Sequence, residues 1–129
     1  MLKVYSRNLG NAAVLCLQGR LISGETGSLR DAVRSQSKVS AVVLDLARVT
    51  AIDARGLGVM LELQRQTALE GIRLKLMNVN KFTSRVLELT RLDSVFEIIP
   101  KAEADRQNAS HEVASAHPAI RRARIAACA

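Results

Sequence analysis

Val42-Val43-Leu44-Asp45-Leu46-Ala47-Arg48-Val49-Thr50-Ala51-Ile52-Asp53-Ala54-Arg55-Gly56-Leu57-Gly58 is the stretch that decides the fold. It opens as a near-continuous apolar run, the mark of a strand buried on both faces. It then turns polar and closes on a helix start that holds two glycines. A strand running into a helix N-terminus at its C-terminal end builds the kind of rim where ligands and partners bind in α/β sheets. The turn Asp53-Ala54-Arg55-Gly56 contains no hydroxyl, thiol or imidazole, which limits the chemistry possible there.

Working outward, residues 39–46 are expected as the central strand. On the N-terminal side, Leu2, Val4 and Ser6 alternate with Lys3, Tyr5 and Arg7, an edge-strand pattern. A turn at residues 8–11 leads to a second strand over 12–18, and the two are close enough to pair as an antiparallel hairpin. Residues 23–28 form a loop before a helix over 29–36. On the C-terminal side, the helix after Asp53 is expected to bury Leu57, Met60, Leu61 and Ala68 and to end at Gly71. Ile72-Arg73-Leu74-Lys75-Leu76 alternates as a strand. Asn78 or Asn80 then caps a helix expected to carry Phe82, Val86, Leu89 and Leu92, and 95–99 is a last strand stopped by Pro100. The order is β-β-α-β-α-β-α-β. It predicts an α/β fold with a mixed, mainly parallel sheet behind an N-terminal antiparallel hairpin.

Composition narrows the function. The 129 residues are 48% apolar but only 2% aromatic, so the core is aliphatic. Nothing reaches the roughly 18 apolar residues of a membrane span, and the N-terminus lacks a signal peptide's apolar block. No membrane insertion and a cytoplasmic location are expected. The charge is +7, but over residues 1–100 the 14 basic and 9 acidic side chains are spread along the chain. With almost no aromatic residue for base stacking, no direct nucleic-acid binding is expected. Cys16 sits in an apolar run and reads as a small buried hydrophobe, with no disulfide to Cys128 expected. With His111 and His117 in the tail, no metal site and no cofactor are expected. Residues 1–100 are read as one domain. Residues 101–129, rich in Ala and carrying Arg121-Arg122-Ala123-Arg124, lack an apolar period and are read as a disordered tail.

At the turn, Asp53 suits an N-cap, its carboxylate accepting from the amides that follow. Gly56 and Gly58 leave the helix start narrow enough for a close backbone or ligand approach. Arg55 opposes the helix dipole, and with the free amides it suits an anion. Asp45, inside a strand, must be paired, so a structural hydrogen-bonding role is expected. No nucleophile–base pair, P-loop or dinucleotide fingerprint is present. These residues suit a binding module rather than an enzyme.

Val43-Leu44-Asp45-Leu46 through Ile52-Asp53-Ala54-Arg55-Gly56-Leu57-Gly58, together with Gly19-Arg20-Leu21 after the second strand, resembles a STAS domain, the fold of bacterial anti-sigma factor antagonists. The resemblance covers residues 1–99. It implies a partner-binding face of Ile22, Ser23, Asp53, Ala54, Arg55, Gly56, Leu57 and Gly58. In that family the turn carries Asp-Ser-Ser/Thr-Gly, and the first serine is phosphorylated by a partner kinase that is also the anti-sigma factor. Here Ala54 stands at the serine position, Arg55 at the next, and Ile22 where an acidic residue often sits. The resemblance therefore implies an antagonist-like regulator that engages an ATPase-fold serine kinase without the usual switch, unless Thr50 substitutes. Two alternatives stay open: a STAS subunit gripping the ATPase of a phospholipid-trafficking ABC transporter, and a nucleotide-binding protein. The partner's identity, the sigma factor and the oligomeric state are not implied.

Overall fold

Val42, Val43 and Leu44 are buried in a strand that is longer than the sequence pattern predicts. The computed structural model describes residues 2–36 and 38–100. The expectations for the tail, including His111, His117, Cys128 and the arginine cluster, lie outside them. Five strands form one sheet in the order β1-β2-β3-β4-β5. They are β1 (Lys3–Leu9), β2 (Ala12–Leu21), β3 (Ala41–Ile52), β4 (Arg73–Met77) and β5 (Glu97–Ile98). β1 and β2 pair antiparallel, and β2-β3, β3-β4 and β4-β5 pair parallel. The α/β fold with an N-terminal hairpin and a mainly parallel sheet is therefore the one observed.

The extra length of β3 comes from two irregularities against β2. The register slips between Cys16 and Gln18 and again between Gly19 and Arg20, each time with an extra residue on β3. Strict alternation from buried Leu46 would turn Arg48 into the core. The first slip leaves Ala47 and Arg48 both exposed and returns Val49 to the buried side. A bulge of this kind re-aims side chains without ending the strand. The second slip leaves Thr50 outside the pairing, its hydroxyl donating to the Gly19 carbonyl at 3.3 Å. Pairing resumes at Leu21 and Ile52, which sets the end of β2 beside the start of the next helix.

Three helices, α1 (Gly27–Arg34), α2 (Ala54–Leu69) and α3 (Lys81–Leu89), connect the parallel strands. Their buried residues Leu29, Val33, Leu57, Met60, Leu63 and Leu87 join one apolar cluster with Leu15, Leu44, Leu46 and Leu76 of the sheet. Each fully buried leucine there contributes about 1.5–3 kcal/mol. α2 buries Leu57 and Met60 as expected, but Ala68 is exposed and Leu63 and Thr67 take the inward column. The Thr67 hydroxyl stays satisfied inside by the Leu63 carbonyl at 2.9 Å. The helix closes as expected around Gly71, with Gly71 N donating to Ala68 O and Ile72 N to Thr67 O.

α3 departs further. Asn80, not Asn78, caps it, accepting from Thr83 N at 2.7 Å. Thr83 and Leu87 form its buried face, whereas Phe82 and Leu89 are 58% and 74% exposed. Asn78 serves Asp45 instead. Asp45 is buried, and its Oδ1 accepts from Asn78 Nδ2 at 3.2 Å and Ala47 N at 3.0 Å. The expected hydrogen-bonding role of Asp45 is thus seen, at the point where β4 ends.

On the other face of the sheet, Val14, Cys16, Val43 and Met77 form a second buried cluster, with Leu9 and Ile99 packed against it. Cys16 is disulfide-bonded, which corrects the expectation of a small unpaired thiol.

Candidate partner-docking site

The site is built by two loops that meet where β2 and β3 end. After β2, residues Ile22 to Glu25 make a turn closed by Glu25 N donating to Ile22 O at 3.0 Å. Its third position is Gly24 at φ +83°, the left-handed conformation that a type II turn demands there and that favours glycine. Arg20 at the strand end reaches Glu25 across the turn at 3.5 Å. After β3, Asp53 N donates to the Leu21 carbonyl at 3.3 Å, and α2 starts at the next residue.

The Asp53 carboxylate joins the two loops. One oxygen accepts from Gly56 N at 2.7 Å, the N-cap bond expected from sequence. The other accepts from Ser23 N at 2.9 Å. These amides, Ser23 first and then Gly56, hold the Asp53 carboxyl below its ordinary value of 3.8, because they stabilise the charged form. Asp53 thereby ties the 22–25 turn to the start of α2.

The two glycines of the helix start separate in role. A Cβ on Gly56 would run into the Leu21 carbonyl oxygen and lie 2.9 Å from its carbon. That is backbone, which cannot swing aside. Gly58 has nothing within 4 Å of such a Cβ. Gly56 therefore permits the close packing of α2 on the end of β2, and Gly58 does not contribute to it.

Of the eight residues expected on the face, Gly56 and Leu57 are buried, Ile22 and Asp53 are half-buried, and Ser23, Ala54, Arg55 and Gly58 are exposed. The structure thus brings the 22–25 turn and the 53–58 helix start together, with the methyl of Ala54 and the guanidinium of Arg55 facing outward. Sequence periodicity gave no sign of the Ser23–Asp53 bond, since the two residues lie thirty positions apart. Among the described residues no three His, Cys, Asp or Glu side chains gather as a metal site, and no helix is long and apolar enough to cross a membrane.

A family model for the STAS domain matches residues 4–121. The chain belongs to that family. Solved structures share the STAS fold. An anti-sigma factor antagonist from Mycobacterium paratuberculosis is 21% identical, with a TM-score of 0.67 over 78% of this chain and 87% of that one. The Bacillus cell-fate determinant SpoIIAA in its phosphorylated form is 19% identical, with a TM-score of 0.59 over 81% and 98%. A sulfate transporter family protein from Wolinella succinogenes is 18% identical, with a TM-score of 0.64 over 73% and 81%. At these identities the likeness is one of fold, and it spans regulators and a transporter protein alike.

Proposed function

We propose that this STAS domain is a non-enzymatic, protein-binding regulator of the anti-sigma factor antagonist type. Its face of Ile22, Ser23 and residues 53–58 engages an ATPase-fold serine kinase that acts as the anti-sigma factor. Engagement frees the sigma factor, and the setting is transcription control by partner switching in the bacterial cytoplasm. The observation that carries the reading is the pairing of a preserved frame with a lost acceptor. Asp53 caps α2 and holds the 22–25 turn, while Ala54 presents a methyl group at the solvent-facing position. A phosphoserine there would add about −1.5 to −2 charges beside a helix start and a docking surface. Ala54 offers no oxygen for it, so the domain docks without that means of release.

The test is a complex with a purified serine kinase of the ATPase fold that acts as an anti-sigma factor. The wild-type complex is expected to persist when ATP is added, with no phosphate on the domain by mass spectrometry. Ala54→Ser is expected to accept one phosphate and dissociate. A wild-type chain phosphorylated at Thr50 and released by it overturns the reading. The transporter reading has the fold likeness to the Wolinella protein in its favour. Co-purification with a permease and its ATPase, in place of a soluble kinase, decides for it.

A further inference from the structure

We propose that α3 is a self-association surface, on which two copies of this chain pair antiparallel through Phe82 and Leu89. This surface is separate from the docking face, which lies on the 22–25 turn and the start of α2. Phe82 and Leu89 are 58% and 74% exposed. They are seven positions apart on α3, so they stack in one column about 10 Å long. Half-buried Val86 fills the turn between them. The core holds α3 by Thr83 and Leu87, and the fold leaves most of the Phe82 ring and of the Leu89 side chain in water. Single exposed apolar residues are ordinary on a protein surface, whereas a column that includes an aromatic ring is what contact surfaces carry.

The charges beside the column select the occupant. Lys81 and Arg85 stand in the first half of α3 and Glu88 in its last turn, all three exposed. Their four- and three-residue spacing puts them on one flank of the column. None of the three has an ion-pair partner among the described residues. A two-fold axis crossing the column near Val86 sets two copies of α3 antiparallel. Phe82 of each copy then meets Leu89 of the other, and Glu88 of each falls level with the stretch between Lys81 and Arg85 of the other. The surface is self-complementary, as a two-fold contact requires. The antiparallel sense also sets each helix start beside the other's end, where the dipoles attract. An anionic membrane would meet Glu88 on the same flank, and an acidic helix would set like charge against it. A second copy is the occupant that uses all three charges.

The contact is small. α3 has nine residues and is about 13 Å long, whereas a standard interface buries about 800 Å² per partner. The pair is therefore weak and concentration-dependent, with a Kd on the order of 100 μM.

Sedimentation equilibrium of the full-length chain, from about 10 μM to about 1 mM, reads the oligomeric state. A monomer at the low end and a growing share of dimer at the high end are expected. Phe82→Ser and Leu89→Ser are each expected to weaken the dimer about tenfold, and both stay folded by circular dichroism because neither residue carries the core. Glu88→Lys and Lys81→Glu are each expected to weaken it too, since each sets like charges across the axis. Mixing these two charge variants is expected to restore the dimer, because each acid then faces a base again. A wild-type chain that stays monomeric at the highest concentration overturns the proposal. A dimer that all four variants leave intact, such as one linked through cysteine, also overturns it. A mixture of the charge variants that associates no better than either alone overturns the antiparallel pairing. If the wild type is monomeric and Phe82→Ser instead lowers its affinity for the kinase-type partner or for anionic vesicles, the column serves that occupant and the proposal falls.

Discussion

The amide of Ser23 donates to the carboxylate of Asp53 at 2.9 Å, while the same carboxylate takes the amide of Gly56 at 2.7 Å. One side chain thus fixes the register between a turn after β2 and the first turn of α2. Without it the 22–25 turn would lose this tie to the start of α2, and with it the exposed Ser23 its fixed place beside the exposed Ala54 and Arg55. The capping residue is therefore also the residue that makes one face of two segments.

This gives Asp53 a measurable pH signature. Its carboxyl is held below the ordinary value of 3.8 by the Ser23 and Gly56 amides. A group depressed in the folded state stabilises the fold above its unfolded value, and that contribution is lost as the pH falls through the folded one. Asp53→Asn keeps one acceptor oxygen and sets an NH2 against the other amide. Thermal melts are expected to show the variant several degrees below wild type at pH 7. The gap should narrow steadily below pH 3.8. A gap that stays constant down to pH 2 would show that the carboxylate charge is not what the two amides stabilise.

The two glycines of α2 predict opposite outcomes for the same substitution. Gly56→Ala drives a methyl group into the Leu21 backbone and is expected to cost about 1–3 kcal/mol, the range for forced overpacking. Gly58→Ala meets nothing within 4 Å and is expected to gain about 0.5–1 kcal/mol from helix propensity. Urea titrations of both variants check the pair. Equal effects in the same direction would contradict the close approach of α2 to β2.

How far the sequence carries can be judged from α3 and β3. The elements, their order and the cap at Asp53 were legible, because each rests on local pattern or short-range bonding. The buried face of α3 was not. Phe82, Val86 and Leu89 make a convincing apolar stripe, yet the helix turns Thr83 and Leu87 to the core. The competing column contains a threonine that periodicity counts as polar, and tertiary packing chose between the two. The end of β3 was hidden in a similar way: Arg48 and Thr50 break the alternation, and only the register slips against β2 show how the strand continues. The Ser23–Asp53 bond is long-range and left no trace in either loop's pattern. The phase of α3 yields its own test. Leu87→Ala is expected to destabilise by about 2–5 kcal/mol. Phe82→Ser and Leu89→Ser are expected to stay within about 0.5 kcal/mol of wild type. Chemical denaturation of the three variants reads this directly.

Arg55 separates docking from stability. It is exposed in the first turn of α2, where a cation opposes the helix dipole by about 0.3–1 kcal/mol. On the docking face proposed above, its guanidinium suits a partner carboxylate. Arg55→Glu therefore carries two expectations of opposite sign. The melting temperature should stay level or rise slightly, because the new charge favours the dipole. Affinity for the kinase-type partner, measured by calorimetry, should fall tenfold or more, about 1.4 kcal/mol. Because the same change strengthens the fold and weakens the complex, misfolding cannot account for the loss. Unchanged affinity would place Arg55 outside the interface and leave Ile22, Ser23 and Ala54 to define it.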